Sequence, residues 1–223
     1  FDAYGYSFAS QYDRCSFGQL QFQPFDIADP IVELRLPGRV ESFTDKTILT
    51  AAREIARKHY GAEVEDLADH AIFCMPNGTS GDPYIAYSGV NSFFSVISNS
   101  WCRNPATIMH EVAHNLGLGH AYERGIEYDD ETTLMGFSYP QTDGPNKCFN
   151  GQNIWHLGWF RSRTLELDAS ILDLHRSEAN LQRGQFTQGP SQIYVQLATF
   201  VDYDKTSDDQ YVLIKLSDYF LVY

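Results

Sequence analysis

One short stretch constrains this chain more than any other. Residues 110–120 read His-Glu-Val-Ala-His-Asn-Leu-Gly-Leu-Gly-His, which is the pattern H-E-x-x-H-x-x-G-x-x-H. On a helix, His110 and His114 lie one turn plus about 40° apart, so both imidazoles leave the same face. This spacing is typical of two ligands that hold one zinc ion. Glu111 lies beside them and is placed to accept a proton from a zinc-bound water.

The third histidine of the stretch cannot lie on the same straight helix. His120 follows His114 by about 600° of helical rotation, and it would point roughly a third of a turn away from the metal. Gly117 is where the chain can bend, because glycine enters the left-handed conformation without steric penalty and commonly ends helices. We therefore expect the helix to end near Gly117 and His120 to return as a third ligand.

The start of this helix is also marked in the sequence. Asn104 is a favourable N-cap, and Pro105 suits the first helical position. The apolar positions that would pack the helix into a core are Met109, Val112, Ala113 and Leu116. The alternative is an ordinary buried helix with chance histidines. The coincidence of the motif with a cap and a bend makes the metal site the better interpretation.

Composition excludes several classes of partner. The 223 residues suffice for one large domain or for a domain with a small extension, and the formal net charge is −13. Nucleic acids and anionic membrane surfaces attract basic patches, so neither is an expected partner. No apolar run approaches the ~20 residues that span a bilayer. We expect a secreted monomer, and the start at Phe1 suggests that a signal or pro-segment was removed or not included.

The cysteines predict disulfides. Cys15, Cys74, Cys102 and Cys148 are four scattered residues without the C-x-x-C spacing of a zinc knuckle. Two disulfides in an oxidising compartment are therefore favoured over four buried thiols. Four cysteines allow three pairings, of which we favour Cys74–Cys102 with Cys15–Cys148.

Local patterns predict alternating helices and strands. Helices are expected over 7–15, over 45–60 with Thr44 as the cap and Gly61 as the stop, and over 146–159. Strands are expected at 20–25, 31–36, 71–75, 84–87 and 93–97, and β-formers are enriched at 193–201 and 211–216.

An acidic loop follows the histidine motif. It contains Glu123, Glu127, Asp129, Asp130 and Glu131. Carboxylate oxygens suit calcium, so Ca2+ is a conceivable second ion, but the spacing matches no fixed calcium loop. A solvated acidic loop is the favoured interpretation.

The motif resembles that of the metzincin zinc endopeptidases, whose second mark is a methionine turn beneath the metal. Leu134-Met135-Gly136 fits that turn. With Cys148-Phe149-Asn150 and the segment 155–159, Trp-His-Leu-Gly-Trp, the chain is similar to the gametolysin (peptidase M11) family of algal and related peptidases. This resemblance runs from about residue 10 to about residue 160, and more thinly to the end of the chain.

The resemblance implies an α+β, metzincin-like zinc protease fold. A twisted mixed sheet would lie with long helices and a zinc helix, and an antiparallel edge strand would lie above the cleft. Residues 1–120 would form an N-terminal subdomain with the zinc helix, and 121–165 a C-terminal subdomain with the methionine turn and a helix. Residues 166–223 would form a β-rich extension.

The resemblance also assigns residues around the metal. Met135 would be a floor beneath the ligands and not a ligand itself. Phe137, Ser138 and Tyr139 would form a wall of the substrate pocket. Relatives usually carry tyrosine where this chain has Phe137, and Tyr139 is a candidate substitute.

These features together predict a secreted zinc endopeptidase. One Zn2+ would be held by His110, His114 and His120, with Glu111 as the general base. Protein or glycoprotein substrates of the extracellular matrix or cell wall are implied by the resemblance. The alternatives are an inactive zinc-binding adhesion module, which would typically lose Glu111, and a zinc amidase acting on small substrates.

Overall fold

The structure is a computed structural model that describes residues 7–25, 31–79, 84–137, 147–168, 195, 197–198, 205 and 210–222. It divides into two compact units, Phe1–Phe149 and Asn150–Tyr223. Helices and strands occur in both units, so the fold is mixed α+β, as predicted. The three-part division with boundaries after residues 120 and 165 stays a prediction.

The first unit contains four helices among its described residues. They are α1 (Phe8–Cys15), α2 (Asp45–Tyr60), α3 (Val64–Leu67) and α4 (Pro105–Asn115), with 3-10 turns at Val40–Ser42 and Asn99–Arg103. The Ser7 side chain caps α1 and the Thr44 side chain caps α2. Gly61 ends α2 in the left-handed conformation with φ 74°, which confirms the predicted stop.

The sheet of the first unit is mixed. Its strands β1 (Ala71–Met75), β2 (Ala86–Ser88) and β3 (Phe94–Ser98) lie in the order β1-β3-β2. The β1–β3 pair is parallel and the β2–β3 pair is antiparallel, so β2 is an antiparallel edge strand. A small antiparallel hairpin follows, formed by β4 (Tyr122–Glu123) and β5 (Ile126–Glu127).

The core of this unit holds α4 in place. Met109, Val112 and Ala113 of α4 are fully buried, as predicted for its apolar face, whereas Leu116 is half-buried. The phenol of the buried Tyr12 on α1 donates a hydrogen bond of 2.7 Å to the Met109 carbonyl. Two helices are thereby joined through a backbone group as well as by apolar packing.

Two predicted strands are wrong. The segments 20–25 and 31–36 form no strand in the structure. Their apolar side chains are used for packing instead: the Phe22 ring lies 4.9 Å from that of Tyr12, and Leu36 packs against the cluster around Ile48. Apolar alternation records burial, but a strand also needs a backbone partner, which the pattern cannot supply.

The second unit combines one helix with a sheet. Helix α5 (Gly151–Leu157) begins later than the predicted 146, after the Asn150 cap, and ends at Gly158 with φ 76°. Strands β6 (Thr164–Leu167), β7 (Leu213–Leu216) and β8 (Tyr219–Val222) form a sheet in that order, with β6–β7 parallel and β7–β8 antiparallel. A 3-10 turn at Arg161–Arg163 precedes β6. The predicted strand 193–201 lies mostly outside the described residues.

Two disulfides confirm the favoured pairing. They join Cys15 to Cys148 and Cys74 to Cys102, with Cα–Cα distances of 5.2 and 5.8 Å. No described helix has the length and apolar character needed to cross a bilayer.

Candidate metal centre

Helix α4 begins and ends as its sequence predicts. The Asn104 side chain accepts hydrogen bonds from the amides of Ala106 at 2.9 Å and Thr107 at 3.3 Å, and Pro105 is the first helical residue. After Asn115 the chain turns at Gly117, whose φ of 96° is left-handed. The capping and the bend therefore arise from local sequence, as expected for these residue types.

The bend brings three imidazoles together. His110 and His114 on α4 have ring centroids 4.8 Å apart, and His120 lies 4.7 Å from His114 by the same measure. The ligand atoms of all three histidines lie within 4.8 Å of one another, and the Nε2 atoms of His114 and His120 are 3.0 Å apart. The three residues predicted as ligands are thus one cluster.

Each of the three rings has an oxygen at its other nitrogen. Nδ1 of His110 lies 2.9 Å from the Leu134 carbonyl, and Nδ1 of His114 lies 2.7 Å from the Leu118 carbonyl. Nδ1 of His120 lies 2.5 Å from Oε1 of Glu127. A neutral imidazole with an acceptor at Nδ1 carries its proton there and presents a lone pair at Nε2.

The chemistry of this donor set fits a metal ion. Two nitrogen lone pairs at 3.0 Å, as in His114 and His120, repel each other unless a cation or a proton lies between them. Burial lowers the pKa of His110 to about 3 and also lowers that of His114, so both imidazoles stay neutral at physiological pH. Neutral imidazoles oriented by second partners are the usual ligands of zinc.

Glu111 lies on the same helix and is nearly buried, with 4% of its surface exposed. Its Oε2 atom has no hydrogen-bond partner among the described residues. Burial raises the pKa of this carboxyl to about 7. A buried carboxylate oxygen without a donor is unfavourable, so this atom is an acceptor with capacity for a water or a substrate group.

Residues 134–137, called here the methionine segment, lie directly against the histidine cluster. Met135 is fully buried. The preceding Leu134 offers its carbonyl to His110, and the Met135 carbonyl accepts a 2.9 Å hydrogen bond from the amide of Ala121, next to His120. The Leu134 and Met135 carbonyls are therefore bonded to the first histidine of the motif and to the residue that follows its last histidine.

The predicted pocket residues are only partly described. Phe137 is 46% exposed, and its amide donates a hydrogen bond of 2.7 Å to the Tyr128 carbonyl. Ser138 and Tyr139 lie outside the described residues, so their predicted place in the pocket wall stays a prediction.

With this geometry established, comparison with known proteins identifies the family. The family model of gametolysin peptidase M11 matches residues 2–219, nearly the whole chain. The chain belongs to the gametolysin peptidase M11 family. It is thus a member of a family of zinc metallopeptidases, and its three-histidine cluster fits metal binding in that family.

A curated relative supports the same membership. The autolysin of Chlamydomonas reinhardtii is 32% identical over 83 residues, which cover 37% of this chain and 13% of the relative. The chain therefore matches only a small part of that longer protein.

Sequence reasoning missed two residues that contact the histidine cluster. Glu127 was expected in a solvated acidic loop but contacts His120, and Tyr128 lies against the same ring with centroids 4.0 Å apart. No spacing rule marks either residue, because both reach the cluster through the β4–β5 hairpin. Within the described part of the chain, no group of acidic residues from this loop forms a cluster suited to a metal ion.

Proposed function

We propose that this M11 family member is a secreted zinc endopeptidase with a metzincin-like fold. The observation that carries the proposal is the convergence of three buried or half-buried imidazoles beside a carboxylate oxygen that has no partner among the described residues. His110, His114 and His120 would hold Zn2+ through Nε2. When bound, zinc supplies Lewis acidity, which acidifies a water and polarises a carbonyl group.

Glu111 is proposed as the general base. Its Oε2 atom accepts a proton from the attacking water, whose oxygen then bonds to the carbonyl carbon of the scissile peptide. Glu111 next donates that proton to the leaving nitrogen as the C–N bond breaks. In the metal-free protein burial raises the pKa of this carboxyl to about 7, and the charge of a bound zinc ion would lower it, which favours the carboxylate form that accepts the proton.

Three backbone and side-chain acceptors keep the imidazoles in place for this chemistry. Carbonyls hold the rings of His110 and His114, and Glu127 holds that of His120. Met135 is proposed to pack beneath the ligands as a floor without binding the metal, because its side chain is fully buried and a thioether is a weak zinc ligand. This arrangement limits motion of the ligands during turnover.

We propose that substrate lies extended along β2. This strand is the edge of its sheet, and its neighbourhood is joined to α4 by a 2.9 Å hydrogen bond from the Asn91 amide to the His114 carbonyl. A free strand edge binds an extended peptide through main-chain hydrogen bonds. Phe137, Ser138 and Tyr139 are proposed to form the wall after the scissile bond.

We propose that the enzyme is an extracellular monomer. Its proposed substrates are proteins or glycoproteins of the extracellular matrix or cell wall. Two disulfides support an oxidising compartment, because such bonds rarely persist in the cytosol.

Cleavage of a denatured protein tests this function. Casein should be cut internally by the zinc-loaded chain, with new amino termini found by mass spectrometry. A chelator should abolish cleavage and added zinc should restore it. Zinc-loaded protein that leaves casein intact would contradict the proposal, as would cleavage that persists after zinc has been removed.

A further inference from the structure

Tyr128 lies across the histidine cluster from a different part of the chain. It follows β5 and is half-buried. Its ring centroid is 4.0 Å from that of His120 and 6.2 Å from that of His110. The planes of the Tyr128 and His110 rings are inclined by only 28°. The ring therefore covers two of the three imidazoles that are proposed to hold zinc.

The backbone holds Tyr128 in a conformation that tyrosine seldom adopts. Its φ is 67°, in the left-handed region, where a side chain is unfavourable. The segment after Met135 lies against this residue: the Phe137 amide donates a hydrogen bond of 2.7 Å to the Tyr128 carbonyl, and the same carbonyl oxygen is 3.2 Å from the place a Cβ on Gly136 would take. Strained residues of this kind cluster at functional sites.

The Tyr128 hydroxyl makes no hydrogen bond to the residues that the structure describes. Glu111 lies near enough for its carboxylate charge to act on this phenol, and Oε2 of Glu111 likewise has no partner among those residues. Glu111 follows His110 on α4 and the Tyr128 ring lies against His120, so an acceptor and a hydrogen-bond donor both lie next to the histidine cluster. A reacting carbonyl and an attacking water require one of each.

We propose that Tyr128 is a further catalytic residue whose phenol donates a hydrogen bond to the oxygen of the scissile carbonyl. This inference rests on the proposed peptidase function. As the water oxygen bonds to the carbonyl carbon, the C=O electron pair moves onto oxygen, and the phenol stabilises the negative charge that develops there without giving up its proton. Tyr128 lies outside the methionine segment. Residue 137 of that segment is a phenylalanine and offers no phenol.

Tyr128→Phe separates this role from packing. The variant keeps the ring that covers the imidazoles and removes only the hydroxyl, so zinc content and resistance to urea should equal those of wild type. Loss of one oxyanion donor typically lowers kcat by about 10²–10³-fold. We expect a fall of about 100-fold in kcat on a peptide substrate, with a much smaller change in KM. Tyr219→Phe, at an exposed tyrosine 74% accessible, is the control and should keep full activity.

A binding measurement gives an independent readout. A phosphinic peptide carries anionic oxygens in a tetrahedral arrangement, so Tyr128→Phe should weaken its binding by about the same factor as kcat/KM. The affinity for the corresponding cleaved product peptide should change little, because it has no developing oxyanion.

The outcomes distinguish this inference from the function on which it rests. An active wild type with an equally active Tyr128→Phe variant, or unchanged phosphinic peptide affinity, overturns the inference alone. Loss of zinc or of folding stability in the variant also overturns it, because the phenol would then have a structural or ligand role. A zinc-loaded wild type that cleaves no peptide overturns the proposed function and this inference with it.

Discussion

The carboxylate of Glu127 lies 2.5 Å from Nδ1 of His120 and fixes the ring whose other nitrogen faces His114. Glu127 belongs to the β4–β5 hairpin and not to the histidine motif. His120 is therefore positioned by a residue seven places further along the chain. Such carboxylate–histidine pairs orient metal ligands and raise their basicity.

Removal of this carboxylate should weaken metal binding. We expect Glu127→Ala to lower zinc affinity by about 10–100-fold, the usual effect of losing an outer partner of a ligand, and Glu127→Gln to lie between Glu127→Ala and wild type. Glu123→Ala is the matched control, since Glu123 lies on the same hairpin and pairs with Arg124 at 3.6 Å. Competition with a chromogenic chelator measures these affinities. Equal affinities for Glu127→Ala and Glu123→Ala would refute the positioning role.

Gly136 should not tolerate a side chain. A Cβ there would lie 1.8 Å from the Asp130 carbonyl oxygen, so Gly136→Ala must displace backbone beside the histidine cluster. Forcing atoms into a packed site typically lowers the free energy of unfolding by about 1–3 kcal/mol. Gly119→Ala is the control. Apart from its chain neighbours, no atom of the described residues lies within 4 Å of the place its methyl group would take, so it should change stability by less than about 0.5 kcal/mol. Urea unfolding that ranks the two variants equally would contradict this expectation.

The buried carboxyl of Glu111 predicts a pH-dependent stability in the metal-free protein. Burial raises its pKa from an ordinary 4.5 to about 7, so the folded state binds more protons than the unfolded state between these values. This contribution to stability is present below pH 4.5 and is lost as the pH rises toward 7. Glutamine has no proton to lose. The stability of Glu111→Gln relative to wild type should therefore increase by up to about 1.4 kcal/mol per pH unit in this window.

Urea unfolding in the presence of a chelator, repeated between about pH 4 and 8, measures this difference across the window in which the carboxyl titrates. Glu123→Gln removes the same charge from an exposed residue and serves as the control. A difference between Glu111→Gln and wild type that does not vary with pH would show that the Glu111 carboxyl is not buried as described.

The two disulfides should differ in their contribution to stability. Cys15–Cys148 closes a separation of 133 residues and Cys74–Cys102 one of 28. Removal of either bridge by paired alanine substitution should cost about 2–5 kcal/mol, and the chain-entropy model makes the longer loop more stabilising by about 1 kcal/mol. Unfolding free energies of the two double variants test this order. A larger loss from the shorter loop would show that native contacts, rather than chain entropy, decide the difference.

Local signals in the sequence predicted helix α4 and the bend that follows it. Asn104, Pro105 and Gly117 act through their own backbone neighbours, so the start and end of α4 and the return of His120 could be inferred without knowledge of the fold. The long helix Asp45–Tyr60 was predictable for the same reason. Each of these features depends on residues within a few positions of one another.

Features that depend on distant segments were not predictable from the same patterns. The strand predicted at 31–36 failed because apolar alternation does not provide a pairing partner. Glu127 and Tyr128 were not singled out as site residues because the path of their loop depends on the close approach of Gly136 to Asp130. That contact joins residues whose types, taken alone, indicate only an acidic loop and a turn.

The most direct test of the central claim is peptide hydrolysis by Glu111→Gln with its zinc content measured on the same sample. We expect one zinc per chain in both wild type and variant, since Glu111 is not among the three proposed ligands. We also expect the variant to turn over peptides at least ~100-fold more slowly, the usual scale for loss of a general base. A variant that retains zinc and near-normal turnover would contradict the proposed mechanism, because another group would then accept the proton.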